Sequence, residues 1–297
     1  MTQDTSFVFF GTDEFSVIVL EELKNAGYTP ALVVTVPDRR QGRGMKLTPP
    51  PVKQRIMNYE SPNTRAKLAT GQAGIKNKIK VLQPEKLDTT FAKKLEHNSY
   101  DLFVVASYGK IIPKEILDIP RHGTLNVHPS LLPLFRGSSP IHSQILENTR
   151  MVGATIMLMD EEVDHGPILA AQELEFKIYD LRFKNLRDEL AKLGGKLLAQ
   201  TIPEWIQGNI NPQEQDHKVA TYTKQITKED GLIDIEKESP EILYRKFRAY
   251  HTWPGIYFFQ DGKRIKITDA ELEDGKFIIK KVIPEGKQEM NYSDFRS

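Results

Sequence analysis

Unbroken apolar runs separated by amphipathic stretches constrain this chain more than any other feature. Phe7–Phe10, Ala31–Val36, Val81–Leu82, Leu102–Ala106, Thr124–Val127, Ala154–Met159 and Ile168–Ala171 are rich in β-branched or apolar side chains and are punctuated by glycine, proline or polar residues. Strands that are apolar on both faces must be covered on both faces, which is the environment of a parallel sheet between layers of helix. After the first run, Phe15, Ile18, Val19 and Leu23 fall at helical spacing from Glu14, with Asn25 and Gly27 as the stop. The pattern predicts an α/β fold built on an open, doubly wound sheet. Ligands of such sheets bind beyond the carboxyl ends of the strands.

The pattern changes in the second half. A long helix is expected from about Asp180 to Gln207, with Phe183, Leu186, Leu190, Leu193, Leu197 and Leu198 on one face and Gly208-Asn209 as its stop. Beyond Asn211-Pro212 a helix over Pro240–Tyr250 precedes strands at Ile256–Gln260, Ile265–Thr268 and Phe277–Val282. Asp261-Gly262 and Asp274-Gly275 separate these strands, and Asp-Gly is a strong hairpin signal. The expected organisation is a first domain over 1–207, a linker over 208–213 and a small β-barrel domain over 214–297. The polar stretch Tyr59–Lys80 reads as a surface insertion.

Composition narrows the function classes. The 297 residues are 39% hydrophobic and 27% charged, as in ordinary globular chains. Without cysteine, disulfides, thiolate-bound zinc and cysteine nucleophiles are excluded. A formal net charge of +1 argues against a chain that binds polyanions over its whole surface, so nucleic-acid contacts would come from local clusters. Met1–Ser6 carries no basic leader and no segment reaches the roughly 20 apolar residues of a membrane span, so a cytoplasmic location is expected; separately, a monomer is expected.

The chemistry concentrates in Thr124–Gly137, which reads T-L-N-V-H-P-S-L-L-P-L-F-R-G. Strand alternation puts Asn126 and His128 on one side, and Pro129 ends the strand because proline cannot donate to the ladder. Downstream, M-D-E-E-V-D-H-G-P-I-L places Asp164 between two strands. An amide, an imidazole and a carboxylate can together serve attack on a carbonyl: the amide holds an oxyanion and the other two move a proton. On spacing alone a structural reading stands beside this one. A histidine at a strand end is commonly a hydrogen-bonded structural residue, and Asp-x-Gly is commonly just a turn. A histidine metal site from His122, His128 and His142 lacks the usual ligand spacing, so no metal is expected.

These segments carry a resemblance. N-V-H-P-S-L-L-P at Asn126–Pro133 resembles the signature of folate-dependent formyltransferases, and D-H-G-P at Asp164–Pro167 is similar to their second motif. That pair is common to enzymes that formylate glycinamide ribonucleotide, sugar amines or initiator methionyl-tRNA. Other segments resemble the methionyl-tRNA formyltransferase pattern. These are G-T-D-E-F at Gly11–Phe15, P-D-R-R-Q-G-R-G-M-K-L-T-P-P-P-V-K at Pro37–Lys53, Gln83-Pro84 and Y-G-K-I-I-P at Tyr108–Pro113. R-G-S-S-P-I at Arg136–Ile141, T-Y-T-K at Thr221–Lys224 and W-P-G at Trp253–Gly255 join them. Met45 departs from the pattern, at a loop position that is often basic.

The resemblance implies a Rossmann-like catalytic domain with a smaller OB-like barrel that binds tRNA. It implies 10-formyltetrahydrofolate as donor, near Tyr108, Gly109, Lys110, Ile111 and Ile112 and near Ser130, Leu131, Leu132 and Pro133. Asn126, His128 and Asp164 would be catalytic, and initiator methionyl-tRNA the acceptor, for translation initiation. Arg39, Arg40, Arg43 and Lys46, with Lys224, would meet the tRNA. The basic loop makes independent sense: its arginines outnumber the single acid Asp38, and arginine grips phosphate bidentately. A plain solvated loop is the alternative. In the C-terminal part, Lys263, Arg264, Lys266, Lys276, Lys280, Lys281 and Lys287 are interrupted by acidic residues, and Trp253-Pro254 reads as core packing. Three rival functions remain: formylation of a small amine such as a sugar nucleotide or glycinamide ribonucleotide, hydrolysis of formyl-folate, and RNA binding without catalysis.

Overall fold

The computed structural model describes residues 5–41, 44–59, 79–174 and 181–296. Its chain groups into two compact units. The first comprises Met1–Pro133, Gly153–Glu173 and Leu190–Val219; the second comprises Leu134–Val152, Leu174–Glu189 and Ala220–Ser297. The segments Leu134–Val152 and Leu174–Glu189 thus group with the C-terminal part, whereas the sequence places them in the first domain.

The first unit is built on a seven-stranded sheet of order β10-β9-β7-β6-β1-β2-β5. The strands are β1 Phe7–Gly11, β2 Leu32–Val34, β5 Lys80–Leu82, β6 Leu102–Ala106, β7 Thr124–His128, β9 Gly153–Leu158 and β10 Ile168–Glu173. β5, β2, β1, β6 and β7 pair in parallel, and β9 runs antiparallel to both of its neighbours. The short β3 Arg39–Gln41 and β4 Lys46–Thr48 form a separate hairpin.

Helices cover both faces. Helix α1, Glu14–Asn25, starts where Asp13 accepts a hydrogen bond from the Ser16 backbone N–H, an N-cap that satisfies one of the orphan donors. It is followed by α2 Pro51–Tyr59, α3 Thr89–Glu96 and α4 Lys114–Leu117. One face of the sheet packs Val8, Phe10, Phe103 and Val105 against Phe91 and Leu95 of α3 and Ile116 of α4. α5 is Pro140–Leu146. The long helix α6, Phe183–Ile206, begins within the described residues at Phe183; its expected start at Asp180 lies outside them. Gly194 and Gly195 each weaken a helix by roughly 1 kcal/mol relative to alanine, and the packing shows why they are there. A Cβ on Gly194 would stand 2.5 Å from Val127, and one on Gly195 would stand 2.7 Å from Glu22 of α1. The glycines let α6 press against β7 and α1.

In the second unit, β8 Arg136–Gly137 pairs in parallel with β11 Tyr222–Thr223. Helix α7, Pro240–Tyr250, takes its N-cap from Ser239 and buries Leu243, Phe247 and Tyr250. The part expected as a β-barrel is an antiparallel sheet of order β12-β13-β14-β15, with β12 Tyr257–Gln260, β13 Lys263–Glu273, β14 Lys276–Pro284 and β15 Met290–Asn291. A short helix α8, Tyr292–Arg296, closes the described chain. Both Asp-Gly pairs have positive φ at both residues, 50° and 70° at Asp261-Gly262 and 49° and 71° at Asp274-Gly275. This is the turn whose twist matches a two-residue hairpin. Trp253 is 48% exposed, so it is not the core residue the sequence suggests; its neighbour Pro254 is buried instead. His142 stacks on Phe183 with centroids 4.1 Å apart, and burial pushes its imidazole down to about 4, so it stays neutral. The insertion expected over Tyr59–Lys80 lies almost wholly outside the described residues.

Candidate active site

Strand β7 ends in the candidate site. Its register, Val105 opposite Asn126, puts Asn126 on the face that carries Phe103 and Val105. Alternation then sends Asn126 and His128 to that face and Val127 to the α6 side. Both polar side chains are nearly enclosed, Asn126 at 9% exposure and His128 at 3%. A buried polar group needs a partner, and Asp164 supplies one. The Asn126 Nδ2–H donates to Asp164 Oδ1 at 3.2 Å, and His128 Nδ1 lies 3.5 Å from the same oxygen. The structure therefore brings all three residues together around one carboxylate oxygen.

How Asp164 arrives is less obvious. Because β9 runs antiparallel to β7, its last residue Leu158 lies opposite Leu125, at the amino end of β7. The segment 159–167 must turn back along the sheet face to carry Asp164 to Asn126 and His128. Asp164 does so with φ 50°, a left-handed conformation that aspartate tolerates better than most residues. Asp160 organises the first half of the segment: Oδ1 accepts the Glu162 N–H at 2.9 Å and Oδ2 contacts His165 Nδ1 at 2.7 Å. In the second half a Cβ on Gly166 would lie 2.0 Å from the Leu158 carbonyl oxygen, so only glycine fits. Gln215, 5% exposed, donates from Nε2 to the carbonyls of Asp164 at 3.0 Å and Gly166 at 2.7 Å. The glycine is visible in the D-H-G-P motif. Gln215 is not, since it sits in polar sequence with no periodicity.

The sheet also has a switch point. The chain proceeds from β1 to β2 and β5 on one side, then crosses to β6 and β7 on the other. In doubly wound sheets ligands bind at that reversal, here between the carboxyl ends of β1 and β6. Gly11–Asp13 and Ser107–Ile112 flank it. The Thr12 hydroxyl donates to the Tyr108 carbonyl at 2.7 Å, the Ser16 hydroxyl to the Ala106 carbonyl at 2.5 Å and the Ser107 hydroxyl to Asp13 at 2.7 Å. Tyr108 and Ile112 belong to the core; burial pushes the Tyr108 phenol up to about 12. Ser107 and Gly109 are exposed, with φ 47° and 81°, and Ile111 is 81% exposed. Lys110 Nζ donates to the carbonyls of Pro84 and Glu85, both at 2.9 Å.

Ser130–Pro133, directly after β7, is shaped by a residue with no motif of its own. The fully buried Thr155 hydroxyl donates to the Ser130 carbonyl at 2.7 Å and accepts the Leu132 N–H at 3.1 Å. Ser130 and Leu132 are buried, while Leu131 and Pro133 are partly exposed.

Of the expected tRNA contacts, Arg39, Arg40 and Lys46 stand exposed on the β3–β4 hairpin. Pairing of Gln41 with Lys46 puts Lys46 on the same face as Arg39. Arg43 lies outside the described residues. The base of the hairpin is tied by Asp38, which meets the Lys53 ammonium at 2.9 Å and Gln83 Nε2 at 2.7 Å; these bonds, Gln83 foremost, hold its carboxyl below the ordinary range. Lys224 lies in the other unit, exposed and ion-paired with Asp230. Among the described residues no three histidine or acidic side chains gather as a metal would require. No helix among them is long and apolar enough to cross a membrane. A recess lined by Arg121, His122, Leu158 and Trp205 lies at the amino end of β7, away from His128.

Comparison with known proteins identifies the family. The formyl transferase family matches residues 5–202, and the formyl transferase C-terminal domain matches 225–278. A methionyl-tRNA formyltransferase from Bacillus licheniformis is 40% identical over 90% of this chain and 78% of its own length. Among solved structures, methionyl-tRNA formyltransferase from Clostridium thermocellum has a TM-score of 0.58 at 17% identity, covering 97% of this chain and 99% of its own. HypX from Aquifex aeolicus in complex with tetrahydrofolic acid has a TM-score of 0.60 at 16% identity, covering 89% of this chain and 46% of its own. At such identities the structures speak for the fold alone. The family matches, falling on the strand and loop that hold Asn126, His128 and Asp164, place this chain in the methionyl-tRNA formyltransferase family of formyl transferases.

Proposed function

We propose that the chain transfers the formyl group of 10-formyltetrahydrofolate to the α-amine of methionine on initiator methionyl-tRNA, with Asn126, His128 and Asp164 around the reacting carbon. The observation that carries this reading is the shared carboxylate oxygen, 3.2 Å from the Asn126 amide nitrogen and 3.5 Å from His128 Nδ1. One N–H of Asn126 holds Asp164, and the second is the donor for the formyl oxygen. The 3.5 Å contact exceeds an ordinary hydrogen bond; such contacts tighten when substrate is bound. As the amine attacks, negative charge grows on the formyl oxygen, and Asn126 and His128 stabilise it. The new N–C bond forms, the bond from the formyl carbon to the folate nitrogen breaks, and Asp164 with His128 carries the amine proton to that nitrogen. An uncharged amine is nucleophilic without covalent catalysis.

The folate fits the switch point. The exposed residues Ser107, Gly109 and Ile111 and the turn from Ser130 to Pro133 lie beside the carboxyl ends of β6 and β7. Tyr108, Lys110, Ile112, Leu131 and Leu132 shape that crevice. The acceptor is held by Arg39, Arg40, Arg43 and Lys46, and by Lys224 once it exchanges Asp230 for phosphate. Residues 1–207 are assigned to catalysis and 214–297 to tRNA, in a cytoplasmic monomer that needs no metal.

The test supplies formyl-folate with charged initiator methionyl-tRNA, and in parallel with glycinamide ribonucleotide and an amino-sugar nucleotide. Transfer to the tRNA alone is expected, and Asn126→Ala, His128→Ala and Asp164→Ala should each lose about 100-fold or more in kcat. Transfer only to a small acceptor overturns the acceptor; formate release without transfer makes the chain a hydrolase. Unchanged rates in all three variants remove the site.

A further inference from the structure

Asp164 lies in the segment between β9 and β10, which has no regular secondary structure of its own. Its side chain leaves a left-handed backbone at φ 50°, two residues before a glycine wedged against the Leu158 carbonyl. Between the strand it leaves and the strand it enters, the carbonyls of Asp164 and Gly166 are gripped by one amide. Gln215 Nε2 has two N–H groups and gives one to each carbonyl, at 3.0 and 2.7 Å. The glutamine is itself fixed. Two residues earlier, Gln213 exchanges both backbone hydrogen bonds with Ile168 at 2.8 Å, an antiparallel bridge on the edge of β10. Gln213, read from sequence as the end of a linker, is therefore knitted to the sheet, and the buried Gln215 just beyond it braces the loop.

We propose that Gln215 is a positioning residue for formyl transfer, acting through the backbone of Asp164 rather than by touching substrate. A strut to that carbonyl sets the direction in which the Asp164 side chain leaves the chain, and so where Oδ1 sits between Asn126 and His128. This inference rests on the reading of Asp164 as catalytic, and the experiment separates the two.

Steady-state kinetics are measured for the parent, Gln215→Met, Asp164→Ala and the double variant, with thermal midpoints alongside. Methionine keeps the length of the side chain and removes both donors. Gln215→Met should lower kcat about 10- to 100-fold, the scale of a small misplacement in an active site, while KM for formyl-folate and for the tRNA stays within about twofold. In the Asp164→Ala background the same substitution should change kcat by less than about twofold, because there is no carboxylate left to place. Parent-like kcat in Gln215→Met overturns the inference. So does an undiminished loss in the Asp164→Ala background, which would make Gln215 a general support of the fold. Parent-like kcat in Asp164→Ala sinks the catalytic reading itself, whatever Gln215 does. If Gln215→Met does not fold, Gln215→Leu keeps the branched end, removes both donors without adding a charge and carries the same test.

Discussion

Two regions deliver the candidate catalytic groups, and they do it in opposite ways. Asn126 and His128 ride on β7, a strand with β6 on one side and β9 on the other, so their directions follow from the ladder and its alternation. Asp164 rides on a segment between strands, held by a glycine with no room for a side chain, by the Asp160 carboxylate and by Gln215 from a distant stretch of chain. The strand half of the site is thus encoded locally and over-determined by the sheet. The loop half relies on contacts gathered from separate parts of the chain, and should be the half that fails first when one is removed.

Gly166→Ala puts the largest strain on that contrast. The added Cβ would sit 2.0 Å from a backbone oxygen of β9 that the sheet holds in place, so the loop has to move. Displacement of Asp164 by about an ångström should cost about 100-fold in kcat, with Asn126 and His128 undisturbed. A crystal structure of the variant together with its kcat checks this. If the rate survives with Asp164 displaced, the loop half of the site has no part in the reaction.

The same contrast explains what could be read in advance. Strand β6 falls on Leu102–Ala106, α1 on Glu14–Asn25 and α7 on Pro240–Tyr250, as the periodicity predicts, because each is governed by burial and by caps a few residues away. The hairpin turns at Asp261-Gly262 and Asp274-Gly275 were equally legible, since positive φ narrows the choice of residue. The direction of β9 was not. An apolar run reads the same in either direction, and only pairing with β7 shows that the chain has to double back to bring in Asp164. Gln215 and Thr155 carry no local signal, because what makes them matter is the backbone they meet, 51 and 25 residues away in the chain. Trp253 misled for a related reason: an aromatic residue beside proline suggests core, but it is the proline that is buried.

Thr155→Val tests the strand half. Valine keeps the shape and removes both hydrogen bonds that the buried hydroxyl makes, to the Ser130 carbonyl and from the Leu132 N–H. Loss of such bonds in a buried setting should cost about 1–3 kcal/mol of stability by urea unfolding. KM for the formyl donor should rise several-fold as the turn after β7 loosens, with kcat falling far less than in Gly166→Ala. A kcat loss that matched the glycine variant would mean the strand half is no better supported than the loop.

Asp160→Ala is the smallest test and the one that apportions the loop's own supports. Asp160 lies in the same segment as Asp164, so it is the nearer brace in sequence; Gln215 is the more distant one. Yet its side chain is 38% exposed, and its contacts with the Glu162 N–H and the His165 ring compete with water. Exposed pairs of this kind are worth about 0–1 kcal/mol, whereas the two carbonyls met by Gln215 are held by a side chain that is only 5% exposed. Removal of Asp160 should therefore shift stability by less than about 1 kcal/mol and lower kcat by less than about tenfold, well short of Gly166→Ala. A loss as deep as that of the glycine variant would place the decisive brace in front of Asp164 rather than behind it. Gln215 would then merely fill space beneath a loop that Asp160 already holds.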